Sequence, residues 1–249
     1  MSSSLPILNR ILAAHGGIDT WNSIEAIDAV ISASGFLFTA KQRPVLDHVR
    51  MRAWTREPRF AFIDFPRAGQ TAEIIGTNEV RISDAQGSVL SRRENPRDVF
   101  RSLRRLFSWD ELDFIYFAGY ATWNYLTTPF LLTFPGVMVT ELGLAKGSLA
   151  SFTRLQITFP ESIPTHCRQQ IFYFDGQHLL RRLDYTAEVV GGWAHAAHLC
   201  DGYRSFDGIN APTERRVLPL FFGRGPLPGP TLVAINVHEF RPKAGVTAA

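Results

Sequence analysis

The 249-residue chain is long enough for one large β domain or two small domains. Its hydrophobic content of 45% and charged content of 20% are typical of a soluble globular protein. With only two cysteines, Cys167 and Cys200, a disulfide scaffold is excluded. The net charge of +3 comes without a Lys/Arg run or a nucleic-acid-binding motif, so nucleic acid is not an expected partner.

The N-terminal segment predicts a helix. Leu5, Leu8 and Leu12 recur on one helical face, Ser4 is the predicted cap, and the glycines at 16–17 end the pattern. The segment has no early Lys/Arg cluster and only a broken apolar run, which is unlike a secretory signal. A cytoplasmic protein is therefore expected.

Five strands are predicted after this helix. They fall within residues 24–38, 48–55, 59–66, 70–76 and 79–84, each bounded by turn-forming residues. Such short connections imply an antiparallel meander.

A helical insert is predicted over about residues 96–136. One side of its first helix would carry four arginines: Arg97, Arg101, Arg104 and Arg105. The spacing of Ser108 and Glu111 is a capping-box pattern, which predicts that a second helix begins there. The stretch from Phe114 to Thr140 then contains no charged residue. Its length would span a bilayer, but Asn124 and two prolines interrupt it.

Strand patterns return after the insert. Seven runs fall within residues 137–144, 152–159, 168–175, 178–187, 194–206, 213–220 and 231–240, and the tail after Pro242 is expected to be disordered. The sequence thus predicts a mainly β fold, with one domain over residues 1–249. We expect an unclosed antiparallel β-barrel of about 11 strands, with helices plugging or covering a hydrophobic cavity.

Three features resemble the lipoprotein-carrier (LolA/LolB-like) superfamily. The first helix ends in His-Gly-Gly at residues 15–17 with Trp21 just after, and a helical element separates two runs of strands. Residues 172–217 then read as a hairpin, a long strand and a Pro-Thr strand entry. The resemblance implies an unclosed antiparallel barrel with helices over a hydrophobic cavity, which in those carriers holds lipoprotein acyl chains. A cytoplasmic relative, without a signal peptide, that uses the same cavity for another ligand is the expectation here.

The charge-free aromatic segment indicates a hydrophobic partner. In a β-rich protein it has to cover a barrel mouth, an apolar ligand or a membrane surface, so the leading hypothesis is binding of a hydrophobic small molecule or acyl chain. The side chains expected nearest the ligand are aromatic bodies, several with polar tips: Trp54, Phe62, Trp109, Tyr116, Phe117, Tyr120, Trp123, Asn124 and Tyr185.

A cofactor-free enzyme is the alternative hypothesis. The same cavity could fold a polyketide- or terpene-like substrate and promote cyclisation or isomerisation. His198, Asp113 and Asp184 are the candidate acid or base residues. The HExxH, CxxC and GxSxG signatures and glycine-rich nucleotide loops are missing, so neither a metal nor another cofactor is expected.

Peripheral contact with an anionic membrane is a third hypothesis. It rests on the basic face of the predicted arginine helix beside an apolar segment.

Overall fold

A computed structural model describes residues 6–221 and 225–245. Ser4, the predicted cap of the first helix, lies outside these residues. The fold is mainly β, with one antiparallel sheet of 14 strands. The strands are β1 (Ile24–Ser34), β2 (Leu46–Trp54), β3 (Arg59–Ile63), β4 (Thr71–Ile75), β5 (Glu79–Ser83), β6 (Val89–Glu94), β7 (Met138–Leu144), β8 (Thr153–Thr158), β9 (Gln169–Phe174), β10 (Leu180–Thr186), β11 (His195–Phe206), β12 (Ile209–Phe221), β13 (Gly225–Pro226) and β14 (Val233–Ala244).

The two halves of the sheet are joined by the first and last long strands. The spatial order is β6-β5-β4-β3-β2-β1-β14-β12-β11-β10-β9-β8-β7, with β13 paired to β12 alone. Every pair is antiparallel, and β6 and β7 are the two edges within the described residues. The sheet is therefore not closed into a barrel, which confirms the predicted mainly β, unclosed architecture.

The sheet has more strands than the sequence predicted, because β6 and β13 were missed. All but one residue of β6 is exposed, so the strand lacks the alternation of apolar and polar residues that signals a half-buried strand. The predicted disordered tail was also wrong over residues 243–244, which belong to β14. Pro242 has no backbone N–H to donate. It is tolerated there because this end of β14 pairs with β1 on one side only, whereas the pairing of β14 with β12 is confined to residues 233–236.

The helices are α1 (Pro6–Ala14), α2 (Ile18–Asn22), α3 (Phe36–Ala40), α4 (Arg104–Phe107) and α5 (Glu111–Thr127). The sequence had assigned α3 to the end of the first strand. Gly35 ends that strand with a φ of 131°, and a Cβ at this position would lie 2.5 Å from the carbonyl oxygen of Leu232. Only glycine fits so close a backbone approach, and the chain turns into α3 immediately afterwards.

The predicted arginine helix is broken into two pieces. A 3₁₀ turn covers Asp98–Arg101, Ser102 is extended with a ψ of 137°, and α4 follows. The predicted apolar face is therefore not buried as a unit: Leu103 and Phe107 are 78% and 72% exposed.

Helix α5 begins two residues later than the capping-box pattern predicted. Its N-cap is Asp110, which accepts from the backbone N–H of Asp113 at 2.9 Å, while the Asp113 carboxylate accepts from the Asp110 N–H at 3.0 Å. All residues of α5 except Glu111 and Phe117 are buried, as expected for a helix that is apolar on every side. Among the described helices, none is both long and apolar enough to cross a membrane.

Candidate functional site

A cavity of about 410 Å³ lies between α5 and the strands of the C-terminal half of the sheet. This volume is within the range of roughly 300–1,000 Å³ that is usual for small-molecule sites. Its walls come from α3, α4, α5, β10–β12 and β14, with single residues from β1 and β2, and include Leu37, Phe38, Leu106, Phe117, Ala118, Ala121, Tyr185, Ala196, Val217 and Ile235. Most of these side chains are apolar, so the cavity offers burial rather than a polar recognition surface.

The space exists because the part of α5 that lines it carries small residues, while a glycine in the same helix allows close packing on the sheet. On the sheet side, a Cβ at Gly119 would lie 3.1 Å from Cγ2 of Ile74, so the helix packs tightly onto β4. Ala118, Ala121 and Thr122 of the same helix line the cavity. Larger side chains at these positions would fill it.

The cavity has an open mouth and a buried end, which differ in how exposed their lining residues are. Phe36, Trp193 and Phe221 line the cavity and are 56%, 72% and 61% exposed. At the other extreme, His166 and Tyr185 line it and are buried. An apolar ligand would thus enter between exposed aromatic side chains and reach a buried polar cluster.

That polar cluster consists of one histidine and three tyrosines. The Tyr120 hydroxyl lies 3.2 Å from Nδ1 of His166, and the Tyr125 hydroxyl lies 2.7 Å from Nε2. The hydroxyl of Tyr125 is also 3.2 Å from that of Tyr185, whose ring stacks on His166 with a centroid distance of 4.1 Å. In a neutral imidazole one nitrogen donates and the other accepts, so both ring nitrogens are satisfied.

Burial keeps the cluster neutral. The pKa of His166 falls to about 3, chiefly because burial disfavours the imidazolium and secondarily because the Arg97 guanidinium repels it. Burial likewise raises the pKa values of Tyr120, Tyr125 and Tyr185 above that of free tyrosine. At neutral pH the buried end therefore presents uncharged hydrogen-bonding groups.

Two arginines brace this end of the cavity. Arg97 donates to the carbonyls of Thr165 and His166 at 2.7 and 3.1 Å and pairs with Glu188 at 2.6 Å. Arg215, which is buried, donates to the carbonyl of Tyr125 at 2.7 Å. Both guanidiniums thus fix the backbone that carries the polar cluster.

The candidate acid or base residues lie outside the lining of this cavity. His198 is fully buried behind Tyr125, with its Nε2 3.5 Å from Nη1 of Arg215. Burial holds its pKa well below that of free histidine, and Nδ1 has no hydrogen-bond partner among the described residues. The structure does not bring His198 together with either of the two candidate carboxylates.

The carboxylates of Asp113 and Asp184 are both held in ion pairs. Asp113 lies 2.5 Å from Nη1 of Arg93 and 2.6 Å from Nε of Arg105, at the start of α5. Asp184 pairs with Arg182 at 2.6 Å and accepts a hydrogen bond from the Tyr173 hydroxyl at 2.9 Å. Neither carboxylate reaches the cavity.

Of the nine predicted ligand contacts, Trp109, Phe117 and Tyr185 line the cavity. The other six lie around it: Trp54, Phe62, Tyr116, Tyr120, Trp123 and Asn124. Tyr120 belongs to the polar cluster behind the wall. Trp123 donates from Nε1 to the carbonyl of Trp54 at 2.8 Å, on the side away from the cavity lining. Asn124 donates to the carbonyls of Tyr120 and Pro164, both at 2.7 Å, and so holds the loop before β9.

Several lining residues were not foreseen, above all His166, Tyr125 and Lys41. His166 lies in a loop and Lys41 follows a helix that had been assigned to a strand, so neither belongs to a periodic pattern. Tyr125 is on the predicted helix and could have been found from its position on the same face as Ala118 and Ala121. Within the described residues no group of three or more His, Cys, Asp or Glu side chains could hold a metal ion.

Comparison with known proteins finds similarity at the level of the fold. No family model matches the chain, and no curated protein matches it. A provisionally assigned outer membrane lipoprotein-sorting protein domain from Vibrio parahaemolyticus is 13% identical, with a TM-score of 0.54 over 97% of this chain and 93% of that chain. A DUF1329 family protein from Desulfovibrio piger is 14% identical, with a TM-score of 0.50 over 97% and 93%.

A LolA superfamily protein from Nitrosomonas europaea is 10% identical, with a TM-score of 0.48 over 94% of this chain and 92% of that chain. The chain shares the fold of the Vibrio parahaemolyticus and Desulfovibrio piger structures, in agreement with the LolA/LolB-like fold that the sequence resemblance implies.

Proposed function

We propose that this protein binds a hydrophobic small molecule or an acyl chain in the cavity beneath α5. The observation that carries the proposal is an apolar cavity of about 410 Å³ with an exposed aromatic mouth and a neutral polar end. Protein interiors are otherwise close-packed, and voids larger than a water molecule are few. A space of this size, kept open by alanines on an otherwise bulky helix, is a feature that a ligand would use.

The fold similarity supports the same class of ligand. The Vibrio parahaemolyticus domain is described as lipoprotein-sorting, and lipoproteins carry acyl chains. Because a fold can serve several functions, the likeness adds to the cavity geometry rather than replacing it.

The cofactor-free cyclase or isomerase remains the alternative. His166 favours it in one respect, since a titratable side chain lines the cavity beside two tyrosines. However, both ring nitrogens are already paired with tyrosine hydroxyls, and a pKa of about 3 makes this imidazole a weak base. The geometry therefore supports binding better than proton transfer.

Membrane contact is a second proposed property, and it rests on the surface beside the mouth. Leu106 lines the cavity, while Leu103 and Phe107 on the same turn are exposed, next to the exposed Arg101 and Arg104. Apolar side chains flanked by arginines are typical of surfaces that lie on anionic lipid. Docking there would place the cavity mouth near a source of hydrophobic ligand.

Titration with 1-N-phenylnaphthylamine, a neutral fluorescent probe, tests the binding function. The wild-type protein should bind about one equivalent. Ala121→Phe, which puts a ring into the cavity, should weaken binding at least tenfold. Ala68→Phe adds the same ring on an exposed turn and should bind like wild type. If the probe does not bind, or if Ala121→Phe binds as well as wild type, the proposal fails.

A further inference from the structure

The wall of the cavity contains a buried cation without a carboxylate partner. Lys41 follows α3, is buried and lines the cavity. Its Nζ donates to the carbonyls of Arg105 and Leu106 at 2.9 and 2.7 Å, and lies 5.2 Å from the centroid of the Trp109 ring. Over the described residues, no Asp or Glu oxygen comes within 4 Å of this ammonium.

This arrangement is costly in the protein alone. An ammonium has three N–H donors, and carbonyl acceptors for two of them are found in the described part of the chain. Burying a charge without an opposite charge is unfavourable, and burial lowers the pKa of Lys41 accordingly. The neighbouring arginines do not share this situation, because Arg93 and Arg105 are balanced by Asp110 and Asp113.

A second cation lies close to Lys41. Arg43 also lines the cavity and is partly exposed. Its Nε donates to the carbonyl of Gln42 at 2.8 Å, and no ion pair involves it among the residues that the structure describes. Two cations without acidic partners thus occupy one wall of an otherwise apolar cavity.

We propose, building on the binding function above, that the ligand is a single-chain amphiphile with an anionic head group. Its carboxylate or phosphate would lie against Lys41 and Arg43, and its chain would extend along Ala118 and Ala121 towards His166. The head group supplies the opposite charge that the wall lacks, and the alanines supply room for the chain. Charge-assisted hydrogen bonds of this kind are stronger than those between neutral groups.

Three ligands with the same chain and different head groups test this assignment by calorimetry: palmitate, hexadecyl phosphate and hexadecanol. Wild type should bind at least one of the two anions about tenfold or more tightly than the alcohol. The anion that binds more tightly identifies the head-group chemistry. Lys41→Met should remove most of this preference, taken as the ratio of anion affinity to alcohol affinity in the same variant, and a circular dichroism spectrum like that of wild type would show that the variant is folded.

Arg43→Gln and Arg104→Gln complete the experiment. Arg43→Gln removes the second wall cation and should reduce the preference for the anion by severalfold. Arg104→Gln changes net charge equally at an exposed site outside the cavity lining and should leave it unchanged. Equal binding of the alcohol and both anions, or an unchanged preference in Lys41→Met, overturns the head-group assignment alone. If none of the three amphiphiles binds, the binding function itself fails.

Discussion

At the scale of single residues, the most consequential side chains are those that are polar and buried. His15, His166 and His198 are all buried, and burial lowers the pKa of each. His15 donates from Nδ1 to the carbonyl of Ile11 at 2.8 Å, whereas His166 is held by two tyrosines. Each of them must fold in its neutral form, which couples folding to pH.

The pH dependence of stability follows from these shifts. The pKa is about 4 for His15 and about 3 for His166 in the folded protein, against about 6.5 in an unfolded chain. Between these values the unfolded chain binds more protons, so stability is complete above pH 6.5 and declines as pH falls. Urea unfolding should show a loss of about 1 kcal/mol per buried histidine between pH 7.5 and 5.5.

Two variants assign part of this loss to His166. His166→Gln should be less stable at pH 7.5 but should lose about 1 kcal/mol less than wild type on going to pH 5.5. Tyr120→Phe removes a hydroxyl from the same cluster and keeps the histidine, so its pH dependence should match wild type. A His166→Gln protein with the full wild-type loss would contradict the neutral, buried histidine.

The residue scale is also where prediction from sequence was weakest. Nine side chains, most of them aromatic, were expected nearest a ligand, and which of them face the cavity depends on the rotation of α5 against β4. That rotation is set by the contact of Gly119 with Ile74, which joins positions far apart in the chain. Lys41 and His166 belong to no motif, and only tertiary packing brings them to the same cavity.

At the scale of elements, the start of α5 shows how the helix is fixed in place. Two aspartates form the capping box, and Arg93 from β6 and Arg105 from α4 pair with them. The Asp113 side chain is fully buried in this cluster. The cluster therefore ties an edge strand, the broken arginine segment and the central helix to one another.

Removing Asp113 should be strongly destabilising. Asp113→Ala leaves two arginines short of a partner and the N–H of Asp110 without its acceptor, so urea unfolding should show a loss of about 3–5 kcal/mol. Glu111→Gln, in the same helical turn but without an ion pair among the described residues, should cost less than about 1 kcal/mol. A loss below 1 kcal/mol for Asp113→Ala would show that this cluster does not anchor the helix.

The broken arginine segment yields a prediction about membranes. If Leu103, Phe107 and the exposed arginines contact anionic lipid, the protein should bind phosphatidylglycerol vesicles and be released by salt. Reversing Arg101 and Arg104 to Glu together should weaken vesicle binding at least tenfold.

Lys243→Glu provides the control for vesicle binding and is compared with Arg104→Glu alone, which changes the net charge by the same amount. Lys243 is exposed and ten residues along β14 from Val233, which lines the cavity, so it lies about 34 Å away along the strand. Its reversal should leave vesicle binding nearly unchanged. Equal effects of the two reversals would indicate attraction by net charge, and no effect of either would exclude docking through this segment.

Elements whose sequences have a strong periodicity were predictable, whereas those determined by strand pairing or by a backbone turn were not. The long strands β1, β11 and β12 alternate or run apolar, and α5 lies within the helical insert that was predicted over about residues 96–136. In contrast, β6 is an exposed edge strand whose pairing with β5 gives its sequence no apolar face. Three of the five residues of α3, two phenylalanines and a threonine, favour strands, and its conformation depends on the turn at Gly35.

At the scale of the whole molecule, the fold follows from the order of its elements. Two runs of antiparallel strands flank a helical insert, and the pairing of β1 with β14 makes them one continuous sheet. Helix α5 packs against β2–β5 of the first half and leaves a cavity against β10–β12 of the second. The open sheet and covering helix were predictable from this order, whereas the chemistry of the cavity wall was not.

Photo-crosslinking gives the most direct test of the claim that this cavity holds a hydrophobic ligand. A sixteen-carbon alcohol with a diazirine in its chain would be bound, irradiated and located by mass spectrometry of peptides. We expect one label per chain on residues that line the cavity, such as Phe117, Ala121 and Val217, and a large loss of labelling in Ala121→Phe. Labels confined to other surfaces, or labelling unchanged by Ala121→Phe, would contradict the account.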